Sequence, residues 1–471
     1  MEFSRLYKGS AETYLSLLTI LAVIVFGIAG IQFGFLIPFG ILFAILLTAV
    51  IVLNIKIGLV LLLCSFFYVR PIYYFPFSIL TYIRLDDFLW GLVAISWLVN
   101  IWKTKRRSVR SLPLFGALTI LCALATLSGM RVFMLSPSLM PIGNFIWFLM
   151  RLLQYVSVYF IVGTIDFTDK ERNSLFTLMI MFGMVVTGIV LLQYWGLLGI
   201  FPTTRYVENP GAITGTFTFK AQIGAVAVIL SILVVDKIIR HKWNRWLGFV
   251  LLGGFSGMLL ITQSRSSWVA FLVAIVVYLL SIRSLQSKMI WATMLILAGI
   301  LFLGIEGNRE LYNSHPILDP LTGGLSHDEA VSERLTSLPL IFQYLEAKPD
   351  VFFLGIGFMN WRYILTDVTG IYAGHNNYIS ALVELGLLGF IAFCYLLFRG
   401  LLIAWRNIRL NQPFSQLYLS LLVGLCAACF FEDIFWPGAA LESFLAFFMF
   451  LSALSLQSVL HYPTNAVGMV Q

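Results

Sequence analysis

The chain has 471 residues, of which 60% are hydrophobic and only 11% charged. A soluble domain carries roughly 25% charged residues, and a soluble fold could not hide this much apolar surface from water. The formal net charge of +8 is therefore not a nucleic-acid footprint, and the basic residues must first be sorted by side of a membrane.

These values predict an all-α polytopic membrane protein with about 14 transmembrane helices. Apolar runs fall at 13–30, 32–53, 57–70, 86–101, 112–129, 143–163, 174–198, 214–235, 246–262, 266–282, 288–305, 378–398, 414–431 and 439–458. The first run is followed at once by another, so it reads as a spanning helix and not as a cleavable leader. Alternate connections are basic: KTKRRSVR (103–110), DKER (169–172), DKIIRHKWNR (236–245), IRSLQSK (282–288) and RGLLIAWRNIR (399–409). With Arg5, Lys8 and Lys56 they hold most of the 30 Lys and Arg. The positive-inside rule makes that side the cytoplasm, with both termini there, in a plasma (inner) membrane.

The five cysteines, Cys64, Cys122, Cys394, Cys426 and Cys429, all lie in apolar runs. Cys426-Ala-Ala-Cys429 has redox spacing, but within a predicted membrane helix it reads as two small buried residues. No disulfide framework is expected.

One connection stands apart. Residues 306–377 form an extracytoplasmic loop of about 70 residues, and long loops of this kind are usually functional. Ser326-His327-Asp328-Glu329 has a capping-box pattern. Val331, Leu335, Leu338, Ile341 and Leu345 then recur at helical spacing, and Pro349 ends the run. The expectation is an amphipathic helix on the outer rim. The chain thus divides into N-terminal helices (1–200), a core with the long loop (201–400) and C-terminal helices (401–471).

Ionisable groups at membrane depth are costly, which makes them candidate functional groups. Thr262-Gln263-Ser264-Arg265-Ser266-Ser267-Trp268 is a short polar break whose single charge is Arg265, and a guanidinium matches phosphate oxygens in bidentate fashion. His375, in Gly374-His375-Asn376-Asn377-Tyr378, sits where the chain re-enters the membrane; its imidazole can take a hydroxyl proton or pair with phosphate. Arg334 lies on the amphipathic helix. Arg205 and Lys220 flank ITGTFTFKAQIG, and Arg362 lies later in the loop. Arg151, within FIWFLMRLLQYVSVYF, should face the bundle interior or a wet cavity. Each also has a plainer reading, as a cation snorkelling to lipid headgroups, an interfacial histidine or a solvated helix face. Together they describe a cationic outer cavity suited to an anionic lipid headgroup, and a pyrophosphate-linked lipid would supply both anion and apolar tail.

Over roughly residues 200–395 these segments resemble the O-antigen ligase and polymerase superfamily of bacterial membrane glycosyltransferases. The resemblance rests on an ordered set: Ser264-Arg265-Ser266-Ser267-Trp268 opening a helix, Arg334 in the outer loop, Gly355-Ile356-Gly357, and His375-Asn376 leading to Glu384-Leu385-Gly386. It departs at Ala212, where family members often carry Arg before the Gly215-Thr216-Phe217 step, and at Phe219-Lys220-Ala221, where many have Asn-Pro-Asn. The resemblance implies an undecaprenyl-pyrophosphate-linked glycan as donor and a glycan or lipid acceptor. Arg265 and Arg334 would bind the pyrophosphate, His375 would serve as general base or further phosphate contact, and Asn376, Arg205, Lys220, Arg362 and Arg151 would contact substrate. A chain-length regulator and a flippase are candidate partners. No cofactor is implied.

Metal-dependent oligosaccharyltransferases of related fold place carboxylates in the first outer loop, but Ile28-Ala29-Gly30-Ile31 has none. The pairs Asp86-Asp87 and Glu432-Asp433 come without further ligands, so no metal is expected. Polymerase and ligase share donor chemistry and differ in acceptor. Polymerase is the leading reading because surface-glycan polymerases vary widely in sequence, and ligase is the alternative. A lipid-linked glycan flippase is the alternative from another class, disfavoured because the candidate charges gather at one face beside one loop.

Overall fold

A computed structural model describes residues 47–68, 71–74, 82–104, 109–135, 142–198, 215–217, 220–240, 243–262, 264–282, 329–365, 376–433, 435 and 442–456. The chain divides into two units, Met1–Leu62 with Gly91–Lys105, and Leu63–Trp90 with Arg106–Gln471. In the first unit Ile51, Leu59 and Val93 are fully buried, and Ser96 Oγ donates to the Ile51 carbonyl at 2.9 Å.

The helices are α1 (Ile55–Ser65), α2 (Leu85–Thr104), α3 (Phe115–Leu135), α4 (Ile142–Thr164), α5 (Asp169–Tyr194), α6 (Lys220–Ile239), α7 (Arg245–Ile261) and α8 (Arg265–Ser281). They continue as α9 (Glu329–Ala347), α10 (Pro349–Leu354), α11 (Trp361–Ile364), α12 (Asn377–Arg409), α13 (Ser415–Ala428) and α14 (Glu442–Leu456). One antiparallel hairpin, β1 (Pro71–Tyr74) with β2 (Tyr82–Arg84), interrupts this helical succession. Pro71 opens β1, a position where a missing N–H costs little.

Among the described residues six helices are long and apolar enough to cross a membrane, and five shorter apolar ones accompany them. The protein is thus a multi-pass membrane protein. Every expected run from 57 onward except 288–305 coincides with a helix. The runs 13–30, 288–305 and most of 32–53 lie outside the described residues, as do loop residues 306–328 and 366–375, including the start of the expected capping box.

Helix α6 is the axis of the second unit. Its spanning window is 94% buried, and its all-round apolar sequence AVAVILSILVV has no polar face to turn toward water. Close crossings rest on glycines: a Cβ at Gly183 would lie 2.3 Å from Leu230 of α6, and one at Gly424 of α13 would lie 2.5 Å from the Ala270 carbonyl of α8. A small apolar cleft lies among α3, α4, α12, α13 and α14, with Leu118, Leu152, Phe358, Leu385 and Phe448 in its wall.

Among the described residues, the basic connection 169–172 and the start of 236–245 meet at one end of this unit. Lys237 Nζ donates to Asn173 Oδ1 and, at 3.1 Å, to Thr177 Oγ1. Arg172 pairs with Asp169 and donates to the Leu454 carbonyl. Asp236 accepts from Arg240 Nε and Tyr278 Oη, each at 2.7 Å. Burial alone would lower the Arg240 pKa, but the neighbouring Asp236 and Tyr278 raise it. Thr168 and Glu171 form a capping box that starts α5 at the same end.

Candidate functional site

The opposite end gathers the starts of α6, α8 and α12 and the end of α13. Ser264 caps α8 in extended conformation. Its hydroxyl lies 2.8 Å from Ser267 Oγ and 3.2 Å from Ser266 Oγ. Helix α6 approaches so closely that a Cβ on Gly224 would sit 2.4 Å from Ser267 Oγ. Trp268 Nε1 donates to the Leu259 carbonyl of α7 and closes the turn. Arg265 is the first residue of α8, where free backbone N–H groups and the helix dipole favour an anion. Its side chain lies outside the description.

The start of α12 is held as firmly. Asn376 is its N-cap, with Oδ1 accepting from the Tyr378 and Ile379 N–H groups at 3.0 and 3.1 Å. This use of Asn is the ordinary capping preference. Its Nδ2 donates to the Phe430 carbonyl at 3.0 Å. Asn377 receives the Phe435 N–H at 2.9 Å, and Ser380 Oγ donates to Asp433 Oδ1 at 2.8 Å. The residues just after α13 thus lace the first turn of α12. Along its length α13 packs on α8, with Gly424 against Ala270 and Ala274. That shared neighbour puts the starts of α8 and α12, and so the backbones of Arg265 and Asn376, at the same end. His375, immediately before, lies outside the described residues.

The segment between α8 and α12 docks beside this point. Ile341 and Leu345 of α9 join Val351, Ile356, Trp361, Leu365 and Val383 in one buried cluster. These α9 residues are two of the five expected to line its apolar stripe. Pro349 starts α10. Gly355-Ile356-Gly357 then pairs with the backbone of α12: Ile356 N–H donates to Val383 O at 2.9 Å and Gly357 N–H to Glu384 O at 3.0 Å. Gly355 and Gly357 have φ of +79° and +98°, and Gly386 breaks α12 at φ +71°. The approach leaves no room for a side chain, since a Cβ on Gly355 would meet Glu384 O at 2.1 Å. Glu384 is buried at 3% exposure. Its carboxylate receives the Met359 N–H at 2.8 Å and the Trp361 N–H at 3.2 Å. From α3, Ser128 Oγ donates to Leu354 O and Glu384 O, while Arg131 donates to Gly355 O and pairs with Asp350.

Arg334 lies on α9 and Arg362 on α11, both with side chains outside the description. The same holds for Lys220, the first residue of α6, while Arg205 and Ala212 lie wholly outside it. The Gly-Thr-Phe step is a turn, not the helix expected from 214: Gly215 N–H donates to Gln193 Oε1 at 2.9 Å, and Thr216 Oγ1 donates to the Phe67 carbonyl.

Arg151 is buried at 2% exposure and occupied by protein partners. It pairs with Asp87 and stacks on Trp147, its guanidinium carbon 4.5 Å from the ring centre. Asp87 also accepts from Gln154 Nε2 at 2.9 Å and from the Arg84 N–H at 2.7 Å. Arg84 reaches Asp86 at 2.9 Å and Tyr155 Oη at 2.6 Å. Two arginines and two aspartates make a buried network with no formal net charge. The acidic pair considered as metal ligands is thus engaged by arginine. Sequence reasoning missed this pairing, although Arg84-Leu-Asp-Asp held the signal: two carboxylates in the first turn of a helix, where the dipole favours them, and one membrane-depth arginine in need of a counter-charge.

Helices of spanning length, with two helix starts and a docked connecting segment at one end, define a multi-pass membrane protein with a one-ended candidate site. Residues 247–394 match the family model for O-antigen ligase. The match supports the O-antigen ligase and polymerase superfamily, and with it a role in surface-polysaccharide synthesis. No match was found among curated proteins. The matched stretch contains α8 through the first half of α12, but not Ser128, Arg131, Arg151 or α13.

Proposed function

We propose that the protein is a membrane glycosyltransferase that polymerises surface-polysaccharide repeat units on the extracytoplasmic face, using an undecaprenyl-pyrophosphate-linked glycan as donor. An acceptor hydroxyl attacks the anomeric carbon of the donor sugar. The new C–O bond forms as the bond to pyrophosphate breaks, and the lipid pyrophosphate leaves with the bonding pair. His375 takes the acceptor proton. Arg265 and Arg334 stabilise the charge growing on the leaving group, and the start of α8 adds its N–H groups. The donor is already activated, so no nucleotide sugar is needed.

The observation that carries this reading is the meeting of the starts of α8 and α12 at one end, within the stretch that matches O-antigen ligase. A ligase would run the same donor half-reaction with a lipid or protein acceptor. Purified wild type, Arg265→Ala and His375→Ala should be given lipid-linked repeat units and the products sized. Both variants are expected to insert normally and to lose roughly 100-fold or more in transfer. Equal product from wild type and variants would remove these residues from the mechanism. Deleting the gene separates the acceptors: surface chains reduced to single repeats mean polymerase, and full chains stranded on the carrier mean ligase.

A further inference from the structure

We propose that Glu384 is a positioning residue for this reaction: its carboxylate holds residues 355–361, and with them α9 and Arg334, in working register beside the start of α12. The inference rests on the transferase reading above for its effect on turnover, while the grip itself can be tested without any activity.

Three observations converge. The Glu384 carboxylate is buried and divided between two backbone donors, Oε2 to Met359 and Oε1 to Trp361. The latter starts α11, so the carboxylate also sits at that helix's amino end. The backbone carbonyl of the same residue accepts from Gly357 N–H and Ser128 Oγ, so Glu384 ties α12 to both the connecting segment and α3. The conformation needed for this is built in: α12 breaks at Gly386, and Gly355 admits the segment to backbone contact. Helix α9 is joined to this platform through Ile341 and Leu345, which share one core with Ile356, Trp361 and Val383. The chain from α9 to α11 therefore has one rigid seat, and Glu384 is its polar centre. A group displaced by about 1 Å from its reacting partner can lose on the order of 100-fold in rate, so a loosened seat carries a kinetic penalty even though Glu384 acts through other residues.

The test compares wild-type full-length protein with Glu384→Gln in nanodiscs. Glutamine keeps the size but replaces one acceptor oxygen by an NH2 donor, which opposes one of the two amides. Hydrogen exchange should speed up at Met359 and Trp361 and, with them, along α9 residues 341–345, while α13 keeps its protection. With lipid-linked donor, kcat should fall about 10- to 100-fold with little change in KM and with the acid limb of the pH profile where it was. Arg131→Ala, which cuts the α3 tether to the same segment, should reproduce the exchange pattern in weaker form. Wild-type exchange in Glu384→Gln would overturn the proposal, as would faster exchange throughout the bundle, which means general destabilisation. Loss of the acid limb would make Glu384 a proton carrier and overturn it too. If wild type makes no glycan, the transferase reading fails, and the exchange pattern still decides whether Glu384 holds the segment.

Discussion

Asp87 serves three donors at once, Arg151, Gln154 and the Arg84 backbone. Its Oδ1 is shared by a guanidinium and an amide, so neutralising it strips a buried cation of its nearest counter-charge. Removing one partner of such a pair costs about 3–5 kcal/mol. Asp87→Asn should therefore lower the unfolding temperature markedly in detergent scanning, and Asp87→Asn with Arg151→Gln should cost less than the two changes summed. At this scale the sequence was legible in part. That Arg151 is an arginine at membrane depth could be read from the string; that its counter-charge comes 64 positions earlier could not, because only the folded chain brings the first turn of α2 to Arg151. Asn376 shows the reverse: capping needs only neighbours two and three residues on, and such local pairings are written in the sequence itself.

Among elements, α12 and the segment that docks on it are the most constrained by backbone geometry. Gly386 adopts φ +71°, and a Cβ there would lie 2.3 Å from the Phe353 carbonyl. Neither atom is the end of a flexible side chain, so relief needs backbone movement. Gly386→Ala should release α10 from α12 and abolish transfer, with new protease cleavage at 349–365 as the direct readout, whereas Gly116→Ala, whose Cβ meets open space, should be silent. Most helices were legible because a spanning helix needs only length and apolarity. The boundary at 214 was misread for that reason: Ile213 to Phe219 is apolar enough to extend a run, but Gly215 at φ +58° ends the regular backbone. The hairpin at 71–84 was missed likewise, since hydropathy reports burial and says little about strand or helix over short spans.

Across the second unit, antiparallel packing sorts the helix ends by charge. Lys237, Arg240 and Arg172 form one ion-paired end, while Ser264, Asn376 and Asp433 lie at the other. The positive-inside rule predicts that the first end is cytoplasmic. A cysteine placed at Arg245 should resist a membrane-impermeant thiol reagent added to intact cells, and one placed at Glu432 should react. Reaction of the first alone would invert the orientation and put the candidate site in the cytoplasm. This large-scale order was the most legible feature of the sequence, because charge alternation accumulates over many connections and tolerates errors in any one. The convergence of α8 and α12 was only implied, since it needs α13 as intermediary.

That intermediary has an evolutionary consequence. The recognisable stretch ends at residue 394, yet the turn that leads into α12 is laced from beyond it by Cys429, Phe430, Asp433 and Phe435. Most of those contacts run to main-chain atoms, which any side chain can supply, so the strut can drift in composition while its shape persists. A graft that carried only residues 247–394 into another such protein would sever the matched block from its own buttress, so the residues that follow α13 must travel with it.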